Sequence, residues 1–178
     1  LKAGKGSVYE GGIRVPFIIQ YPPLVKAGGT TQHPVIVEDV FPGILELAGV
    51  RNYRTIQKVD GKSFAPVLKN PALPDTARVL LWHYPNNWQN RDIPGTNYFS
   101  ALRKGNWKMV YSQRNNTAEL YDLSKDLGEE KDLSAIYPDK TMELVNLLGK
   151  QLKDFNAPMP VNKRTGKQLP YPGDGVNK

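Results

Sequence analysis

The sequence predicts a chain that passes from α/β to α+β: the end of a large α/β domain, then a small antiparallel sheet packed against a C-terminal helix. Three observations predict it. A short apolar run, "VPFIIQYPP" (15–23), is followed by a glycine loop and an amphipathic helical pattern, the order of elements in an α/β sheet domain. "YFSALRKGNWKMVYS" (98–112) has two alternating arms around Lys104-Gly105-Asn106, which is the signature of a β-hairpin. Leu144, Leu148, Leu152 and Phe155 recur at i, i+4, i+8 and i+11, one stripe of a helix.

Taken in order, 15–23 reads as a buried strand closed by prolines, and "AGGT" (27–30) as loop. "VIVEDVFPGILELAGV" places Val37, Val40, Ile44, Leu45 and Ala48 on one helical face, with Pro42 in the first turn and Gly49 as terminator. Residues 51–77 hold turns and short elements. "RVLLWHYP" (78–85) is strand-like, and 86–97 is a polar loop rich in turn formers. Trp107, Met109 and Tyr111 share a face at period 2, and "AELYDL" (118–123) offers a third strand. Asp139 is placed to cap the final helix, inside which Gly149 costs about 1 kcal/mol relative to alanine. Residues 156–178 are too dense in Pro and Gly for regular elements. The predicted divisions are 1–55 for the end of the α/β domain, 56–155 for the small α+β subdomain, and 156–178 for a tail.

Composition narrows the function classes. Hydrophobic residues at 39% and charged residues at 23% describe a globular chain rather than a disordered one. No stretch approaches the ~18 apolar residues that span a bilayer, so no membrane span is predicted. The absence of cysteine excludes disulfides, thiolate metal sites and a cysteine nucleophile within these residues. The net charge of +7 is concentrated at the end, where Lys150, Lys153, Lys163, Arg164, Lys167 and Lys178 face only Asp154 and Asp174. No nucleic-acid module accompanies that charge, so nucleic acid is not the predicted partner. The first methionine is Met109, so the expectation is that either something was removed upstream or this is one piece of a longer chain.

Gly4-Lys5-Gly6 can present an ammonium and neighbouring backbone N–H groups to an oxyanion, or be a surface turn. Arg14, beside the apolar run, reads as a structural ion-pair partner. His83 in "LLWHYP" can donate a hydrogen bond or a proton, or be a strand-end histidine satisfied by backbone. Trp88, in the polar loop, is the better candidate for a saccharide platform among the tryptophans, or packs within its loop, with Trp107 a core residue.

"GKGSVYEGGIRVPFII" resembles the segment of type I sulfatases, of the alkaline phosphatase-like superfamily, that follows their last metal-binding residues. "PVIVEDVFPGILELAGV", "DGKSFAPVL", "LLWHYP", "SALRKGNWKMVY" and "ELYDLSKDLGEEKDLS" resemble further landmarks of that family in the same order, covering residues 1 to about 155. The resemblance implies the C-terminal portion of an arylsulfatase-like hydrolase of sulfate esters, on sulfated saccharides or aryl sulfates. It implies that Lys5 contacts the sulfate group, and that His83 and Trp88 lie in the stretch that helps close the substrate pocket. Where relatives often read Trp-His-Tyr-Pro-His-Tyr, this chain has Asn86 and Asn87. The family's calcium ligands and its formylglycine, made within a C/S-x-P-x-R motif, are not in these residues. They are expected in a missing N-terminal sulfatase domain, the main partner, so this chain alone is predicted inactive. A periplasmic, secreted or lysosomal location is the family expectation. Two other readings stay open: a non-catalytic module binding polyanionic glycans, and a phosphoryl or phosphonate hydrolase of the same superfamily.

Overall fold

The computed structural model describes residues 1–73, 78–88 and 93–174. It divides into two compact units, Leu1–Val15 with Thr76–Lys178, and Pro16–Asp75.

The larger unit is built on a four-stranded antiparallel sheet of order β1(Val79–Tyr84), β2(Phe99–Lys104), β3(Trp107–Ser112) and β4(Thr117–Asp122). The hairpin falls where the sequence placed it. Lys104 faces Trp107 across a two-residue turn in which Gly105 takes a φ of +60°, the left-handed geometry such turns need. One face of the sheet carries Leu102, Met109, Tyr111 and Leu120 against Leu144, Leu148 and Leu152 of α4(Pro138–Asp154). Burying one side chain of that size contributes about 1.5–3 kcal/mol, so this layer is a substantial source of the unit's stabilisation.

Two details of α4 differ from expectation. Asp139 lies in the first turn rather than at the cap; Tyr137 is the cap residue, makes no side-chain bond, and is followed by Pro138. Proline is at home there because the first helical N–H is unpaired anyway. Phe155 is about half exposed because the helix ends at Asp154 and the stripe loses its support. The following residues pack onto the unit. Val161 bridges Gln168, the Tyr171 hydroxyl donates to the Ala157 carbonyl at 3.1 Å, and Met159 is buried with the α4 leucines.

The sheet's other face carries Ala101, Val110 and Tyr121, covered by Val8 and Tyr9 from the start of the chain. The sequence division at residue 55 is therefore not how the chain packs, since residues 1–15 belong with the sheet. The first segment turns into a short helix, α1(Glu10–Ile13).

The smaller unit holds a 3₁₀ turn (Val37–Asp39), α2(Val40–Leu47) and α3(Ala65–Lys69). Asp39 is buried and accepts the backbone N–H groups of Ile36 and Lys62 at 3.0 and 2.8 Å. Pro42 does sit in the first turn, but the buried face is Pro42 and Gly43, with the Phe64 ring against Gly43, while Val37 and Ile44 are exposed. The run at 15–21 is not a strand: it pairs with none among the described residues, and Val15 and Ile18 are largely exposed. An apolar run becomes a strand only where another strand satisfies its backbone.

Candidate functional site

Lys5 occupies the second position of a tight turn, Gly4 to Ser7, closed by the Ser7 N–H donating to the Gly4 carbonyl at 3.0 Å. Gly6, at the third position, has a φ of +92°, which only glycine adopts without strain. The Lys5 side chain is exposed and makes no ion pair among the described residues.

The turn is anchored on both sides. The Ser7 hydroxyl donates to the Pro94 carbonyl at 2.7 Å and accepts the Tyr9 N–H at 3.2 Å. The Val8 N–H donates to the Gly95 carbonyl at 3.0 Å, and the Gly11 N–H returns to the Lys2 carbonyl at 3.1 Å. Ser7, Val8 and Tyr9 are buried, so the backbone that carries the Lys5 side chain is anchored.

Trp88 lies directly beside it. The six-membered ring packs on Gly6, so that a β-carbon there would fall 2.0 Å from Cζ3. Its backbone N–H donates to the Asn97 side-chain oxygen at 2.7 Å, and 60% of the residue remains exposed. The structure thus brings Lys5 and Trp88 together. The part of the predicted polar loop at 89–92, the end of the 51–77 stretch at 74–77, and the last four residues, 175–178, lie outside the described residues.

His83 sits elsewhere. It pairs in register with Ser100, and the alternation of the strand puts both on the side of the sheet that faces α4, opposite Val8 and Tyr9. Its Nε2 lies 2.7 Å from the Pro158 carbonyl, and its Nδ1 lies 2.8 Å from the Ser100 hydroxyl and 3.1 Å from the Gln113 amide nitrogen. In the neutral ring Nε2–H donates to Pro158 and Nδ1 accepts, so the protein itself occupies both nitrogens. Burial pushes its pKa down, with the Pro158 hydrogen bond acting weakly the other way.

Two polar clusters under the Lys5 segment escaped the sequence reading. Lys2 donates to the Tyr121 hydroxyl at 2.8 Å and to Glu119 at 3.3 Å, and lies over the Tyr9 ring at 4.2 Å. The hydroxyls of Tyr9 and Tyr121 both donate to the same Glu119 oxygen, at 2.5 and 2.6 Å. Burial first, then that carboxylate, pushes both phenols far up, so they remain donors. Second, Lys108 is fully buried between Glu10, at 2.9 Å, and Glu129, at 2.7 Å. The available signal was a lysine at an inward position of an apolar strand, "WKMVY", and a glutamate within "YEGG".

The family model described as N-sulphoglucosamine sulphohydrolase, C-terminal, matches residues 4–157. A sulfatase of Formosa agariphila is 32% identical over 188 aligned residues, a match that takes in all of this chain and 34% of the relative. The chain belongs to the sulfatase family. An N-acetylglucosamine-6-O-sulfatase of Bacteroides thetaiotaomicron is 30% identical over 168 residues, with 90% of this chain and 29% of the relative covered. This sulfatase chain therefore spans about a third of the length of the curated relatives it matches. A protein solved in complex with its substrate D-glucosamine-2-N,6-O-disulfate superimposes with a TM-score of 0.64 at 28% identity, over 83% of this chain and 30% of that one. Another, solved with k-i-k-neocarrahexaose, gives 0.64 at 28% identity over 88% and 32%. The small antiparallel sheet with its C-terminal helix is thus the sulfatase C-terminal subdomain.

Among the described residues of the sulfatase chain, no group of three or more His, Asp or Glu side chains is arranged to hold a metal ion. The donor chemistry here does not fit calcium, which takes six to eight oxygen ligands. Among the described residues, no helix is long and apolar enough to cross a membrane.

Proposed function

We propose that this chain is the C-terminal part of a hydrolase of sulfate esters carried on saccharides, and that Lys5 is its sulfate-binding cation. The observation that carries this reading is the pairing of an exposed ammonium, on an anchored turn, with an exposed tryptophan ring packed on the same turn. A sulfate ester of a sugar offers an anion and a ring with an apolar face. The ammonium donates to the sulfuryl oxygens and to the ester oxygen as negative charge builds there, from a backbone turn that is held in place. Trp88 provides the face on which the sugar stacks. His83 enters as a positioning residue, holding Pro158 and the chain after α4 against the sheet.

Calcium and formylglycine, the family's usual cofactors, belong in this reading to sequence outside these residues, as does the group that attacks sulfur. Localisation follows the family expectation of a periplasmic, secreted or lysosomal protein. The relative named as an N-acetylglucosamine-6-O-sulfatase and the complex with a glucosamine disulfate support sulfated amino sugars as a substrate class.

The test is steady-state kinetics of the full sulfatase on a sulfated glucosamine. Removing one oxyanion donor typically costs 10²–10³ in rate, so Lys5→Ala lowers kcat/KM by about that factor, and Lys5→Arg restores part of it. Trp88→Ala raises KM with kcat held. A Lys5→Ala enzyme within about twofold of the parent, far below the 10²-fold that loss of such a donor costs, overturns the reading.

A further inference from the structure

The buried Lys108–Glu10–Glu129 cluster has a geometry that ordinary core packing does not need. Lys108, the second residue of β3, and Glu129, after β4, have fully buried side chains, and that of Glu10 is 3% exposed. Glu129 reaches the cluster from a backbone with φ of +55°, a region a non-glycine residue seldom enters. That turn is stabilised by Asp126, whose carboxylate accepts the N–H groups of Glu130 and Lys131 at 3.0 and 2.9 Å. From there one Glu129 oxygen accepts the Glu10 N–H at 2.6 Å while the other sits 2.7 Å from the Lys108 ammonium. Glu10 completes the triangle at 2.9 Å and meets Arg14 at 3.5 Å, so two carboxylates are matched by two cations.

Apolar residues of similar volume would hold two layers together at least as well as buried charges do. What charges add is a defined direction. Here the direction is that of Glu10, which continues without a break through buried Tyr9, Val8 and Ser7 to the Lys5 turn. The other anchors of the turn, Pro94 and Gly95, belong to a loop, whereas Lys108 belongs to a central strand of the sheet.

We infer that Lys108 and Glu129 are positioning residues of the sulfatase reaction, fixing through Glu10 where the Lys5 ammonium stands relative to the sulfate group. The inference rests on the reading of Lys5 as the sulfate-binding cation. A displacement of order 1 Å at a catalytic group costs up to about 10²-fold, so small changes in the cluster reach the chemistry.

The experiment is a double-mutant cycle in the full sulfatase, with Glu129→Asp, which keeps the charge and withdraws it by one methylene, crossed with Lys5→Ala. Positioning through Lys5 predicts that Glu129→Asp lowers kcat/KM by about tenfold in the parent, within the range for a misplaced catalytic group. In the Lys5→Ala background it then changes kcat/KM by less than about twofold, since coupled residues are non-additive. Its effect on the melting temperature is the same in both backgrounds. Equal losses of kcat/KM in both backgrounds, or none in the parent, overturn the inference. A Lys5→Ala enzyme with parental kinetics overturns the site reading itself, and the inference with it. If Glu129→Asp does not accumulate, Lys108→Arg, which also keeps its charge, enters the same cycle with the same expectations.

Discussion

The ring of Trp88 rests on the α-carbon of Gly6, with no room for a methyl group between them. The glycine that gives the Lys5 turn its φ of +92° is also the floor on which the tryptophan lies. One residue therefore sets both the direction of the cation and the height of the aromatic face.

Replacing that glycine breaks both at once. Gly6→Ala places a side chain in a left-handed conformation, a cost of about 1–2 kcal/mol, and forces the Trp88 ring away. The expected result in the full sulfatase is a small loss of stability and a larger loss of kcat/KM on sulfated saccharides. Thermal melts beside kinetics check it; a variant whose activity falls only in step with its stability contradicts the shared role.

A comparable conflict decides the sign of a change in α4. Gly149 in a helix interior normally makes alanine the better residue by about 1 kcal/mol. Here the Pro172 carbonyl lies against it, and a β-carbon would fall 1.9 Å from that oxygen. Gly149→Ala is therefore expected to destabilise, because the chain at 172 must lift off the helix. A melting temperature raised by the substitution would show that this segment does not hold its place.

These two glycines mark the boundary of what the sequence made legible. Periodicity located the hairpin and the leucine stripe of α4, since spacings of two and of three to four residues report which side of an element is buried. The stripe overran at Phe155 because periodicity does not register where a helix stops. Gly149 read as a cost because its neighbour lies 23 residues away, in a segment without periodicity. The 15–21 run read as a strand from composition, yet a strand also requires a partner, which hydropathy does not name. Lys5 and Trp88 were found as separate candidates, and only the packing of Trp88 on Gly6 joins them. The cluster below was hidden because Lys108 meets Glu10 across 98 residues of sequence, and Glu129 meets Glu10 across 119.

That cluster carries a stability prediction of its own. Removing one member of a buried ion pair costs about 3–5 kcal/mol because the other charge is left without a partner. Lys108→Met is expected to lose stability in that range, a large share of the roughly 5–15 kcal/mol that holds a domain together. Burial already pushes the Glu129 carboxyl above its ordinary range, with Lys108 the chief influence pulling it back. Adding Glu129→Gln to Lys108→Met therefore recovers a substantial part of the loss. Chemical denaturation of the single and double variants measures it, and a double variant no more stable than the single one contradicts the account.

His83 gives the fold a dependence on acid. Burial holds its pKa below the ordinary value of about 6.5, which it regains in the unfolded chain. The unfolded state therefore takes up a proton more readily than the native one, and stability falls as pH drops. The contribution is complete above about pH 6.5 and is lost as pH falls through the lower native value. Burial is the cause, since a charged ring there loses hydration; beside it, Nδ1 accepts from the Gln113 amide nitrogen at 3.1 Å, a contact that a proton on Nδ1 removes. Urea denaturation at pH 7.5 and pH 5.5 is expected to show a loss of stability in the parent that is smaller in His83→Gln, whose amide can still donate to Pro158 but does not titrate. Equal losses in the two proteins would place the acid sensitivity in another group.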